Sequence, residues 1–95
     1  MENYVIKRNG KYKPFESYKI KDAIEKSFKS VSIVVDKSVY NSIIIQLEGQ
    51  EVWAVEEIQD LIEKKLYEKH YFDVMRSFML FRHTRKLQRE HVNGL

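Results

Sequence analysis

The 95-residue sequence contains no cysteine, only one proline and only three glycines. The absence of cysteine excludes a disulfide framework, a zinc ribbon and a thiol nucleophile within this chain. The sequence also lacks a run of 18 or more apolar residues and an apolar stretch behind a basic N-terminus, so we predict neither a membrane span nor a signal peptide. A cytoplasmic protein is the default expectation. No Gly-x-x-x-x-Gly-Lys-Ser/Thr loop is present, which argues against P-loop hydrolysis of a nucleotide.

The composition is that of an ordinary globular domain. Hydrophobic residues make up 43% and charged residues 33% of the chain, a balance that predicts folding. A chain of this length suffices for one domain with one core. We expect a single domain over residues 1–95, with a core over about 4–88 and with 89–95 as the start of a connection to a larger protein.

The net charge of +3 is unevenly distributed along the chain. Residues 1–30 carry eight Lys/Arg against four Asp/Glu, residues 31–65 carry three against seven, and residues 66–95 carry six against three. If both basic ends lie on one side of the fold, their charges add into one positive patch. Polyphosphate and nucleic acid are the partners that such a patch predicts.

Two strands and a turn are predicted at the start of the chain. Apolar residues flank Asn9-Gly10, a pair that tolerates positive φ at both central positions of a two-residue type I′ turn. Pro14 cannot donate to a strand ladder and closes the hairpin. A third β-prone stretch covers Val52–Val55.

Apolar residues at helical spacing predict four helices. We expect the first to be capped by Ser17, the second to run from an Asp36 cap to Gly49, and the third to start near Glu56. Residues 30–35 suit a strand or a loop, and we favour a loop. The apolar stripes are Ile20, Ala23, Ile24 and Phe28; Val39, Ile43, Ile44 and Leu47; Ile58, Leu61, Ile62 and Leu66; and Val74, Phe78 and Phe81 with Met75 and Met79. This order predicts an α+β fold, a small helical bundle with a short sheet at one end.

The segment Lys7-Arg8-Asn9-Gly10 is the sharpest candidate site. A hairpin tip can aim two cations and its turn amides at one anion, and Lys19 could converge on the same anion at the start of the first helix. The alternative is that this lysine-rich hairpin is simply solvated. Glu56 and Glu57 are explained as helix-start residues rather than as a catalytic pair.

Zinc binding and catalysis have little support in the sequence. The three histidines, His70, His83 and His91, show no i, i+4 pairing and have no cysteine partner, so we expect surface histidines and no metal site. We assign no catalytic residue to this chain.

Four segments together carry a family resemblance. They are Val5-Ile6-Lys7-Arg8-Asn9-Gly10, Phe15 with Lys19-Ile20 and Ala23-Ile24, Val55-Glu56-Glu57-Ile58-Gln59-Asp60, and Phe78-Met79-Leu80-Phe81-Arg82 with Arg85. In order and spacing the chain resembles the ATP-cone, the regulatory domain at the N-terminus of ribonucleotide reductases. The resemblance implies a four-helix bundle capped by a small three-stranded antiparallel sheet, with adenine nucleotide held between sheet and helices.

The resemblance also implies a set of site residues. The adenine would be surrounded or hydrogen-bonded by Val5, Phe15, Glu16 and Ile20, and the triphosphate would be met by Lys7, Arg8, Lys19 and Arg85. Gln59 falls where the family has a side chain near the nucleoside that helps distinguish ATP from dATP. The resemblance leaves open whether Lys13 and Val55, which replaces a hydroxyl residue of some members, contact the nucleotide.

The function implied by the resemblance is allosteric. ATP, with Mg²⁺ on its phosphates, would permit and dATP would inhibit the activity of a downstream catalytic domain, acting through the association of reductase subunits. The parent would be an aerobic or an anaerobic reductase, and the segment Phe81–His91 favours the anaerobic one. Three alternatives stay open: the ATP-cone of a repressor of reductase genes, a small basic nucleic-acid-binding domain, and a module whose acidic middle docks a basic protein.

Overall fold

The computed structural model describes residues 3–7 and 9–93, with side chains described as far as Thr84. The elements are β1 (Tyr4–Ile6), β2 (Tyr12–Pro14), α1 (Ser17–Ser30), α2 (Lys37–Glu48), β3 (Val52–Ala54), α3 (Val55–Glu68) and α4 (Phe72–Asn93). The predicted α+β class and element order are confirmed. Among the described residues, no helix is both long enough and apolar enough to span a membrane.

The three strands form a mixed sheet in the order β2-β1-β3. β1 pairs with β2 in antiparallel register and with β3 in parallel register, with Val5 opposite both Lys13 and Trp53. The antiparallel prediction is therefore wrong for β3. The reason is the route of the chain: α1 leads away from the sheet and α2 leads back, so β3 starts beside Tyr4 and runs in the direction of β1.

The hairpin uses a longer loop than the predicted two-residue turn. Lys7 and Lys11 close the ladder through a Lys7 N–H bond to the Lys11 carbonyl of 2.8 Å, which leaves three residues between them. Gly10 N–H donates to the Lys7 carbonyl at 2.9 Å, and Gly10 has a φ of 82°. These bonds and the left-handed glycine are those of a three-residue hairpin loop with a bulge. The strand prediction is confirmed, but the type I′ geometry is not the one adopted.

The helix ends agree with prediction at α2 and differ at α1. The Asp36 side chain accepts from Ser38 N–H at 3.0 Å, so the predicted cap is confirmed, and Gly49 ends α2. In α1, Ser17 is the first helical residue, Glu16 flanks it, and no side chain caps the helix. The predicted Ser17 cap is therefore wrong.

The core lies where the four helices meet the inner side of the sheet. α1 packs against α2 and α4, and α3 packs against the same two helices. Its buried hydrophobic residues are Val5, Ile20, Ile24, Phe28, Val39, Tyr40, Ile43, Leu47, Ile58, Ile62, Leu66, Val74 and Phe78. Phe81 and Met79, which were predicted on the buried stripe of α4, are 42% and 45% exposed. That these helices form a regular bundle stays a prediction.

Candidate functional site

The sheet presents one face to the helices. Val5 is opposite Lys13 on β2 and Trp53 on β3, so the three side chains share a face, because paired residues of adjacent strands point the same way. Val5 is 9% exposed and Trp53 packs on the core, which identifies this face as the inner one. The Trp53 indole N–H donates to the Leu47 carbonyl at 2.8 Å and fastens β3 to the end of α2.

The apolar residues of the predicted adenine site lie together. Val5 and Ile20 are buried members of the core, and Phe15 packs against that core while half-buried. Val55, the first residue of α3, packs there in the same way. The structure thus brings the predicted apolar residues together, and their burial also gives them an ordinary role in the core.

Two lysines pair with one carboxylate beside this apolar face, and the charge of a third lysine acts on one of them. Glu16 Oε2 lies 3.4 Å from Lys19 Nζ, and Glu16 Oε1 lies 3.9 Å from Lys13 Nζ. The adjacent Lys19 ammonium, then burial, and with a smaller effect the charge of Lys7 lower the pKa of Lys13. We call Lys7, Lys13 and Lys19, together with Glu16, the lysine cluster. It has more positive than negative charge, which suits a multiply charged anion.

The Glu16 carboxylate is held in its charged form. The Tyr18 side chain is the main cause of the lowered pKa of Glu16, and Lys19 and Lys13 lower it further against the opposing effect of burial. The same contact with Glu16 raises the pKa of Tyr18. A charged Glu16 can accept hydrogen bonds but cannot donate them.

Gln59 lies one turn into α3, close to the end of the sheet where β1 and β3 both finish. Its Oε1 atom is buried and has no hydrogen-bond partner among the described residues. The neighbouring Glu57 instead accepts from Ala54 N–H at 2.9 Å and ties down the start of α3. An unsatisfied buried acceptor costs free energy, so a hydrogen-bond donor that reached this position would be stabilising.

Two predicted phosphate contacts lie outside the described residues. Arg8 is one, and the side chain of Arg85, on α4, is the other. Lys7, at the end of β1, is exposed.

Sequence reasoning missed the ion pairs that join α3 to α4. Arg82 Nη1 donates to Asp60 Oδ1 at 2.9 Å and to Glu63 Oε1 at 3.0 Å. The spacing of Asp60 and Glu63 by one helical turn was the available signal. No group of three or more potential metal ligands is found in the described part of the chain.

Residues 3–87 match the family described as the ATP cone domain. The chain belongs to the ATP-cone family. This match covers both strands of the hairpin, the lysine cluster and Gln59, and it confirms the predicted resemblance. Family membership supports nucleotide binding by this ATP-cone.

Several ribonucleotide reductases are similar to this ATP-cone. It is 36% identical over 94 residues to the vitamin B12-dependent ribonucleoside-diphosphate reductase of Thermoplasma acidophilum, covering 90% of this chain and 12% of that protein. It is 32% identical over 95 residues to the anaerobic ribonucleoside-triphosphate reductase of Escherichia coli, covering 95% and 13%. With the ribonucleoside-diphosphate reductase subunit alpha of Chlamydia pneumoniae the identity is 31% over 108 residues, covering 96% and 10%. The chain therefore matches only a small part, 10% to 13%, of the length of these relatives.

Proposed function

We propose that this ATP-cone is the allosteric adenine-nucleotide site of a ribonucleotide reductase, where ATP permits activity and dATP inhibits it. The family match over residues 3–87 and the similarity to three kinds of reductase support a nucleotide-binding regulatory domain. The observation that carries the ligand assignment is the lysine cluster, which lies against an apolar sheet face. This pairing of surfaces suits a molecule with a flat apolar base and a polyanionic tail.

The proposed orientation follows from these two surfaces. The adenine lies against Val5, Phe15 and Ile20, with Glu16 placed to accept from its amino group. The triphosphate extends toward Lys7 and Lys19, and we propose that Arg8 and Arg85 complete its binding. Mg²⁺ carried on the phosphates of the nucleotide would supply charge neutralisation there.

The difference between ATP and dATP is assigned to Gln59. A ligand shifts an equilibrium only by its differential affinity for the two states, so the single 2′-hydroxyl must change a contact. The buried Gln59 Oε1 is an acceptor that a nucleoside hydroxyl would satisfy. We propose that the response reaches the catalytic part of the reductase and its subunit association, in a cytoplasmic enzyme.

Calorimetric titration of the purified chain with ATP, dATP and GTP tests this function. The buffer contains magnesium at physiological salt, and Trp53 fluorescence provides a second readout. We expect saturable micromolar binding of ATP and dATP and much weaker binding of GTP. A chain that binds none of the three nucleotides contradicts the proposal.

The same preparation tests the nucleic-acid alternative. A single-stranded oligonucleotide is titrated at several salt concentrations, with and without ATP. Binding that falls steeply with salt and ignores ATP would favour a nucleic-acid-binding domain. Competition by ATP would instead place both ligands on the same cations.

A further inference from the structure

We propose that Glu16 competes with nucleotide phosphate for the lysines of the site, and that Lys13 is a phosphate-binding residue alongside Lys19. The inference rests on the proposed function and adds that a carboxylate of the site limits how readily its lysines bind phosphate. A phosphate must displace the Glu16 carboxylate before it gains the two ammonium groups, and the displaced carboxylate is then available as the acceptor for the adenine amino group.

One carboxylate occupies two cations at the place where the phosphates are expected. Its oxygens divide between them, at 3.9 Å from Lys13 Nζ on β2 and 3.4 Å from Lys19 Nζ on α1. The Lys19 side chain is 53% exposed and that of Glu16 is 31% exposed, so a dissolved anion has access to both. Glu16 thus holds together two lysines from different elements at an open position.

The lysines are better matched to a polyphosphate than to this carboxylate. A single carboxylate carries one negative charge, whereas Lys13, Lys19 and the nearby Lys7 together carry three positive charges. Crowding by Lys19, burial and the charge of Lys7 lower the pKa of Lys13. A triphosphate brings several charges and many acceptor oxygens, so it relieves the repulsion that one carboxylate leaves.

Helix capping does not explain Glu16. The residue precedes Ser17 at the start of α1, where a side chain could accept from the free N–H groups of the first turn. No such bond is made, and the described contacts of the carboxylate are with Lys13, Lys19 and Tyr18. The carboxylate is therefore available for exchange with another anion.

The test uses sodium tripolyphosphate and adenosine as separate probes of the two halves of the site. Glu16→Gln keeps the shape of the side chain and removes its charge. Because an exposed ion pair contributes little, we expect tripolyphosphate to bind about two to five times more tightly to this variant. Adenosine, which does not use the lysines but does use Glu16 as a hydrogen-bond acceptor, is not expected to bind more tightly.

Two further variants assign the effect to the lysines. Lys13→Gln should weaken tripolyphosphate binding about ten-fold, the usual loss for a charge-assisted hydrogen bond. In the double variant Glu16→Gln with Lys13→Gln, the gain from removing Glu16 should shrink, because only Lys19 is then released. Additive effects of the two substitutions would contradict the inference.

Glu68→Gln is the matched control. Glu68 forms the same kind of i, i+3 pair with Lys65, at 3.6 Å. It is the last residue of α3, about 20 Å along the helix from the end of α3 that adjoins the sheet. It should leave tripolyphosphate binding unchanged, since screening acts over about 8 Å at physiological salt. Equal tightening in both variants, or no tightening in Glu16→Gln, overturns the inference. The proposed function fails separately, if the wild-type chain binds tripolyphosphate but no adenine nucleotide.

Discussion

The two ends of the helices differ in how completely their polar groups are paired. At the sheet end, which comprises the sheet, the lysine cluster and Gln59, two lysines share one carboxylate with a third lysine nearby, and a buried oxygen has no partner among the described residues. At the corner end, which comprises the start of α2 and the α3–α4 turn, polar groups satisfy one another. Folding alone explains the second arrangement, whereas the first has a cost that a bound anion would offset.

The corner end is built around Asp36. Its carboxylate accepts from Ser38 N–H at 3.0 Å, from Ser38 Oγ at 2.6 Å and from Tyr71 Oη at 2.8 Å, and Lys69 Nζ donates to Ser38 Oγ at 2.6 Å. Below this network, the Phe28 ring meets the Tyr71 ring edge-on at 5.0 Å. Four elements are thereby joined without surplus charge.

The largest expected effect concerns the stability of the corner end. Phe28→Ala removes a fully buried ring that contacts Tyr71, so we expect a loss of about 4 kcal/mol in the free energy of unfolding, measured by urea denaturation. Phe28→Leu should cost less and keep the chain folded for nucleotide titration, with ATP affinity unchanged. Val34→Ala, at a side chain 88% exposed, is the control and should have little effect. If folded Phe28→Leu bound ATP more weakly, nucleotide binding at the sheet end would depend on packing at the corner end, contrary to the comparison.

The next effect concerns binding at the sheet end. Lys19→Glu replaces a proposed phosphate contact with a negative charge that repels the phosphates. We expect ATP affinity to fall about 30-fold, equivalent to about 2 kcal/mol. Calorimetry provides the measurement. Lys64→Glu makes the same charge change at an exposed position of α3 and should leave ATP affinity within about two-fold. Similar losses in both variants would mean that net charge, rather than the cluster, attracts the nucleotide.

A smaller effect is expected from Asp36→Ala, which removes the α2 cap and should cost about 1 kcal/mol of stability at neutral pH. Hydrogen bonds from the Ser38 and Tyr71 side chains and the charge of Lys69 lower the pKa of Asp36. Its stabilising effect is therefore complete above the unfolded pKa, near pH 4, and is lost as the pH falls through the lower folded value. Thermal unfolding between pH 2 and 7 should show that this acid-dependent loss is reduced in the variant. Identical pH profiles of the variant and the wild-type chain would show that Asp36 does not cause the acid-dependent loss of stability.

The smallest effect sharpens the comparison, because one substitution should raise the stability of the fold and also alter the discrimination between ATP and dATP. Gln59→Leu removes the unsatisfied buried oxygen, so we expect a gain of about 0.5 kcal/mol in the free energy of unfolding. The ratio of ATP to dATP affinity should change in the same variant, as measured by paired titrations. A stabilised variant with an unaltered ratio would restrict Gln59 to a structural role.

Much of the fold was predictable because its signals are local. Helical spacing of apolar residues identified four helices, and Asp36 and Gly49 marked the ends of α2 correctly. Ser17 was misplaced by one position, because a serine suits the cap and the first turn alike. The predicted direction of β3 was wrong, since three residues with no clear alternation do not indicate which strand they pair with or in which direction.

The positions of the predicted site residues could be read from the sequence only in part, for the same reason. Spacing brought Lys19 to the start of α1, and the resemblance added Glu16 and Gln59. The position of Lys13 beside Lys19 depends on a strand and a helix meeting in space, and no pattern in the sequence reports it. The exposure of Phe81 and Met79 likewise depends on which parts of α4 the neighbouring helices cover.

By itself the sequence determined the elements of this protein, its single core and its uneven charge, because hydrophobic spacing and residue chemistry act over a few neighbouring positions. Only the tertiary structure decided that β3 runs parallel to β1, that Glu16 is shared by Lys13 and Lys19, and that the Gln59 oxygen has no partner among the described residues. These arrangements join residues that are distant or differently oriented in the chain, so they are fixed by packing, which balances burial and charge over the whole domain.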